Sequence, residues 1–406
     1  MSSPSNSSWK KFPLLFSLYI AQSVPMSFFS TVVPVIMRQE NYSLESIGLL
    51  QLVKLPWIAK FLWAPFVDNT TKSFKAIKHW IVFSELFYAA AIISVGFLNL
   101  QTDFNLIIIL IILAFIASAF QDIGTDIFAI HILKKTERSL GNSIQSAGSF
   151  VGSLLGTGVL LLVYYYFGWS KLLFMLAAFV VFAIVPILLY KPRSQIDYSS
   201  KERARIKDVF LFFKGKERLK HLFLLIFYYS GIVGILAMLK PYLVDLGYNI
   251  KQIGFMSGII GTSVAAIMAF LSAIIVKKIG RKGGFYLFSL INIAVAVYFI
   301  YISQTQASLF EIYLGICMVW GAYGLSTVVI YTSSMDMVRK GKEGTDFTVQ
   351  IVVTHLSSIH IAVISGKIGD MAGYSGLFIL ELSLGLIALF VVYLNYPLKH
   401  KNDVKL

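Results

Sequence analysis

The chain has 406 residues, of which 57% are hydrophobic, 15% aromatic and only 14% charged, with a mean hydropathy of +0.76. That balance excludes an ordinary soluble domain and makes the bilayer the expected solvent. The formal charge of +15 would suit a nucleic-acid partner, but most of the cations fall in short loops between apolar runs, which points to lipid headgroups instead.

Those runs, roughly 18 to 25 residues each, are long enough to cross about 30 Å of hydrocarbon as helices. The first six lie near 12–36, 46–67, 79–99, 105–133, 143–166 and 170–190, and we number them helix one to helix six. A polar stretch over 191–220 follows, then helices seven to twelve near 221–243, 252–276, 284–303, 309–337, 347–366 and 374–396. The expected architecture is an all-α integral membrane protein of about twelve spans. It comprises an N-terminal six-helix bundle (1–190), a cytoplasmic basic linker (191–220) and a C-terminal six-helix bundle (221–406). With both termini in the cytoplasm, 28 of the 35 Lys and Arg residues fall on that side, which fixes the expected orientation.

Helix one follows Lys10 and Lys11 like a signal peptide, but its run is too long and lacks a small-x-small cleavage site, so a retained helix is expected. Its Gln22, Ser23 and Ser27, near Pro25, suit the lining of a cavity for a polar solute, although such hydroxyls also bond their own backbone. Helix two carries Lys54 near the midplane and Lys60 two turns nearer the cytoplasm, with Pro56 and Pro65 on either side of Lys60. A charge at the bilayer centre costs at least about 2.5 kcal/mol, so a functional or paired role is expected for both lysines over simple snorkelling.

Helix four contains QDIGTDIFAIH, which sets Asp122 and Asp126 one turn apart on one face beside Gln121 and His131. A carboxylate in such surroundings can take up a proton near neutral pH, as proton coupling requires, or can pair with Lys60. The two readings are compatible. Gly148, Gly152 and Gly156 on helix five form a ridge for close packing. In the second half, Tyr228 and Tyr229 of helix seven are further candidates for the cavity wall, and His355 and His360 of helix eleven suit a proton switch or a plain hydrogen bond. The single cysteine, Cys317, lies inside helix ten, so neither a disulfide framework nor a cysteine metal site is expected, and no cofactor is indicated.

Superposing the halves at an offset of about 205 residues aligns LKKTERSLGNSIQS from Leu133 with VRKGKEGTDFTVQI from Val338, and Gln145 with Gln350. Two six-helix halves joined by a basic loop resemble the major facilitator superfamily. The loop between helices two and three of each half also resembles that family's G-x3-D-R-x-G-R-R pattern. APFVDNTTKS keeps Asp68 and Lys72, and AIIVKKIGRK keeps Gly280, Arg281 and Lys282. The resemblance implies a cytoplasmic gate built from Asp68, Lys72, Arg281 and Lys282.

KFLWAPFVD (60–68) followed by QDIGTD (121–126) is similar to the peptide/acetyl-coenzyme A transporter branch of that superfamily. This branch holds AmpG-type muropeptide permeases, acetyl-CoA transporters and RhtX/FptX-type siderophore permeases. By resemblance, Lys60, Asp68, Asp122 and Asp126 are its matched positions. Asn69 departs from the cation that often follows the motif aspartate. The implied function is proton-coupled import of a fairly large polar solute, siderophore or muropeptide, across a bacterial inner membrane. A monomer is expected, working by alternating access of residues 1–190 against 221–406. The competing readings are an intramembrane acyltransferase using His355 or His360, which has no supporting partner pattern, and a facilitator or exporter of another small molecule.

Overall fold

The computed structural model describes residues 10–39, 55–191 and 203–396, and among them only helices and turns occur. Helix one joins Lys11–Ser27, a π-helical turn Phe28–Val32 and Val33–Gln39. The described part of helix two runs as Leu55–Ala59, a tight turn Lys60–Leu62 and Ala64–Thr70. Pro65 has no N–H to continue the regular ladder, so the helix is tightened just before it. Helix three spans Phe74–Gly96 and helix four Phe104–Ile132. Ser73 caps helix three by accepting from the Ala76 N–H at 3.1 Å.

Eight segments among the described residues are long and apolar enough to cross a membrane, and three of them, Arg138–Leu189, Lys251–Ser303 and Glu343–Asn395, run for 52 or 53 residues. At 1.5 Å per residue such a helix would reach about 80 Å, more than twice the hydrocarbon thickness. Each is broken by one glycine with an extended ψ, namely Gly168 (φ 75°), Gly280 (φ 76°) and Gly373 (φ 66°). A side chain is strongly disfavoured in that region of backbone space, and glycine is not. The chain turns back on itself there. A Cβ on Gly284 would lie 3.0 Å from the Val276 side chain and one on Gly369 3.3 Å from Leu377, so residues equidistant from the break meet.

These breaks divide the eight segments into eleven helices, and the described part of helix two, 55–70, stands where the sequence places the remaining one. The break points fall in the three expected loops, 166–170, 276–284 and 366–374. Gly168 and Gly373 are 205 residues apart, the offset that aligns the halves. Helix seven begins at Lys216, inside the expected linker, and a short linker helix occupies Ile206–Phe212.

Two compact units emerge. One comprises Met1–Val209 with Val338–Val349, the other Phe210–Met337 with Gln350–Leu406. In the first, Phe28, Phe29, Ile92, Phe115, Leu172 and Leu176 are fully buried in one core. The glycine ridge of helix five lies along helix one, where Gly148 meets Tyr19 and Gly152 and Gly156 meet Ser23 and Ser27. Small residues let backbones approach and gain van der Waals contact, the main attraction available between helices in lipid. In the second unit, helix ten seats Gly324 on the Ala265 backbone of helix eight. Phe97, Tyr165, Phe182, Leu189 and Phe310 are each more than 70% exposed, which suits a lipid-facing surface.

Candidate functional site

The polar cluster of the first unit is assembled on helix four, where every residue from Gln121 to Ile130 is buried. Spacing of one turn stacks Asp122 and Asp126 along one face. The tight turn of helix two brings Lys60, 1% exposed, into a direct ion pair with Asp122 Oδ2. From helix one, Gln22 Nε2 donates to the other Asp122 oxygen at 2.7 Å, and the Tyr19 hydroxyl donates to Asp126 Oδ1 at 3.0 Å. Gln121 Nε2 reaches the Leu18 carbonyl at 3.5 Å. The Lys60 ammonium also sits 4.5 Å from the centre of the Trp57 ring, on the preceding turn.

Three helices thus converge on two carboxyl groups and one ammonium. An unpaired charge here would bear the full desolvation cost, and the direct pair with its Gln22 bond offsets part of it. Lys54, the other lysine expected at this depth, lies outside the described residues. Ser23 and Ser27 are half-buried at the seam with helix five.

A second polar site lies at the C-terminal end of helix two. Asp68 is buried, and its carboxylate accepts from the Gly344 N–H at 2.8 Å, the Thr345 N–H at 2.7 Å and the Thr345 hydroxyl at 2.6 Å. These are first-turn donors of the helix that starts at Glu343, which its own backbone cannot satisfy. Asp68 therefore acts as a cap supplied from elsewhere in the chain, and its partners are backbone and hydroxyl groups, with no Lys or Arg pair among the described residues.

The next residue, Asn69, holds the linker by two bonds to one residue: its Nδ2 donates to the Ala204 carbonyl at 2.6 Å and its Oδ1 accepts the Ala204 N–H at 2.9 Å. Four residues on, Asp208 pairs with Lys342 at 3.0 Å, and Arg339 in turn pairs with Asp346 at 2.6 Å. Partial burial pushes the Asp208 carboxyl up, but the Lys342 bond, the Arg205 N–H and the Arg339 charge hold it below the ordinary carboxylate value. Beside this ring lies a cavity of about 300 Å³ lined by Asp68, Lys72, His131, Arg138, Lys340 and Glu343.

In the second unit, Arg281 Nε bonds Asp336 at 2.9 Å, anchoring the loop after Gly280, and Lys282 is half-buried next to it. Tyr228 is buried edge-on against Phe285 at 4.9 Å and Tyr229 against Tyr323 at 5.5 Å. His355 and His360 are exposed, and His360 Nδ1 lies 2.7 Å from the Leu356 carbonyl of its own helix.

The sequence singles out Lys60, Asp68, Asp122 and Asp126 but not Tyr19, Thr345 or Asp208. Tyr19 is one aromatic in an apolar run, and the signal that could have found it is its place one turn before Gln22 on the same face. Asp208 lies in a charged stretch that reads as solvated, though it stands in the first turn of the linker helix.

The family model described as Major Facilitator Superfamily matches this chain over residues 15–359 and 222–405. The anhydromuropeptide permease of Escherichia coli (strain K12) is 23% identical over 398 residues, covering 96% of this chain and 81% of that relative. Among solved structures, a bacterial homologue of the iron transporter ferroportin, in an outward-facing state, superposes with a TM-score of 0.72 at 15% identity, covering 96% of this chain and 100% of the other. The transporter FucP in its outward conformation gives 0.71 at 13% identity, with 97% and 100% covered. At these identities the structural likenesses establish the fold.

Proposed function

Since the chain belongs to the Major Facilitator Superfamily, we propose that it imports a muropeptide-like solute across a bacterial inner membrane, driven by the proton gradient. It is a multi-pass membrane transporter of small molecules, and family membership sets aside the acyltransferase alternative. The cargo reading is supported by similarity to the anhydromuropeptide permease over nearly the whole chain. The orientation, with both termini in the cytoplasm, is supported by the loop cations. The transporter works as a monomer, with residues 1–190 and 221–406 as the two functional halves of alternating access.

The observation that carries coupling is the charge count around Lys60. One ammonium neutralises one carboxylate, and it is already paired with Asp122. Asp126, buried beside it with the Tyr19 hydroxyl, is neutral only when it carries a proton. Taking up that proton and later breaking the Lys60–Asp122 pair would link proton movement to exposure of the solute site. Asp68 serves as the latch of the inner gate, because releasing Gly344 and Thr345 uncaps a helix and costs the three bonds together.

The test is uptake of labelled anhydromuropeptide and, as a second cargo, ferric siderophore in a bacterium lacking its own permeases, with and without a protonophore. Anhydromuropeptide uptake that the protonophore abolishes is the expected result. Uptake that persists would refute proton drive, and uptake of siderophore alone would reassign the cargo.

A further inference from the structure

Helix twelve buries another carboxyl, remote in sequence from the Lys60 cluster. Glu381 lies eight residues beyond Gly373, about 12 Å along the helix, and is 0% exposed. Its Oε1 accepts the Ser365 hydroxyl of helix eleven. The same oxygen occupies the notch left by Gly234 of helix seven, where a Cβ would collide with it. Oε2 has no hydrogen-bond partner among the described residues.

No cation among the described residues compensates this group. On helix seven, Tyr228 and Tyr229 are packed on Phe285 and Tyr323, and Lys240 is exposed. On helix eleven, His355, His360, Lys367 and Asp370 are exposed. Helix nine meets helix twelve where Ile293 faces Gly385, and its Asn292 is bonded to Ser326 while Tyr298 donates to the Glu311 carbonyl. None of these pairs with Glu381 among the described residues.

The seat adjoins a tightened turn of helix seven at Tyr229, where the backbone stays helical (φ −84°, ψ −19°). That helix runs Lys216–Tyr228 and resumes at Ser230, with the Ile232 N–H bonded to the Tyr229 carbonyl at three-residue spacing. One residue past the restart, Gly231 brings the two backbones together: a Cβ there would lie 2.7 Å from the Glu381 carbonyl oxygen and 2.9 Å from the Gly385 nitrogen. A carboxylate with no counter-charge and one unbonded oxygen is far more costly in such a place than a neutral acid. The packing seen here suits the acid form, since the Ser365 hydroxyl also reaches the Ile361 carbonyl at 2.8 Å and can then accept the acid's proton from Oε1.

We propose that Glu381 is a second proton-binding site, which takes a proton from hydronium, releasing water, before helices seven, eleven and twelve close over it. The proton leaves to water when helices seven, eleven and twelve part around it. Its part in transport rests on the reading of the chain as a proton-coupled importer, whereas the protonation of Glu381 can be measured without any solute.

Infrared spectra of the purified full chain in lipid nanodiscs, recorded across a pH series, test it. A carboxylic-acid carbonyl band is expected at neutral pH, absent in Glu381→Gln, shifted in Ser365→Ala and lost from the wild type as pH rises. A band unchanged by Glu381→Gln would overturn the assignment, as would a band that persists until alkaline unfolding, which marks a fixed structural acid. In proteoliposomes, Glu381→Gln should lower the number of protons entering per labelled anhydromuropeptide, and an unaltered ratio would remove the site from transport. If the wild type carried no anhydromuropeptide, the cargo reading would fail while the infrared result still decided Glu381.

Discussion

Removing the Lys60 ammonium would leave Asp122 with Gln22 as its remaining side-chain partner inside the membrane. Breaking one side of a buried pair costs about 3–5 kcal/mol, whereas removing both charges is far milder. Lys60→Ala should therefore yield little folded protein, and Lys60→Met combined with Asp122→Asn should restore it, as judged by monodispersity on size exclusion. Asp126 makes the opposite case, since Asn keeps its shape and its Tyr19 partner while removing the titratable proton. Asp126→Asn is expected to abolish uptake driven by a proton gradient but to leave solute exchange at equilibrium within about twofold, because only the driven direction needs proton release. An undiminished driven rate would take the coupling role away from this residue. These acids and their lysine were legible in the sequence because charge is rare in an apolar run. Glu381, a single acid in the apolar run of helix twelve, carries the same signal, whereas Tyr19 does not, since a tyrosine in a span stands out only once its neighbours are known.

At the scale of elements, three glycines decide where long helices fold back. Gly168→Ala or Gly373→Ala would force a side chain into a backbone region that costs on the order of 1–3 kcal/mol. Either change should lower the thermal midpoint in detergent, while Gly158→Ala, whose added methyl meets nothing within 4 Å and whose backbone is helical, should not. Equal effects at all three positions would show that the break is not set by conformation. On helix five, Gly152→Val should be worse than Gly158→Val, because a Cβ at Gly152 already lies 2.6 Å from that of Ser23. Helix number and break positions could be read from hydropathy because bilayer thickness caps the length of any run. The tight turn at Lys60–Leu62 and the π-helical turns could not, because they depend on how neighbouring helices seat their side chains.

Across the whole molecule, the polar ring around Asp68 joins residues from three distant parts of the chain: 68–69, 204–208 and 339–346. Asn69, a departure from the family pattern, gains its role from a linker that the sequence shows only as polar and basic. Asp208→Asn should raise hydrogen exchange of the 206–212 amides relative to wild type at neutral pH. The Asp208 carboxyl is held below its ordinary value of 3.8, so its stabilising contribution is complete above that pH. The difference from Asp208→Asn should shrink only as pH falls through the lowered value, and a difference constant down to acid pH would show that its charge is not what holds the linker. Raised salt should weaken the largely buried Asp208–Lys342 pair only slightly and spare the uncharged Asn69–Ala204 bonds.

The single-residue reversals at Gly168 and Gly373 also bear on how the chain is made. An ordinary span can leave the ribosome, settle across the bilayer and wait for the next, with a hydrophilic loop parked in water between them. Here one extended glycine separates the two members of a pair, so there is no loop to deliver to the far side. Helices five and six, and helices eleven and twelve, are therefore expected to enter the membrane together as hairpins, which insertion of chains truncated after each glycine would check. Biogenesis would handle each as a single insertion unit, and a ribosome stalled between the two would leave neither helix in place.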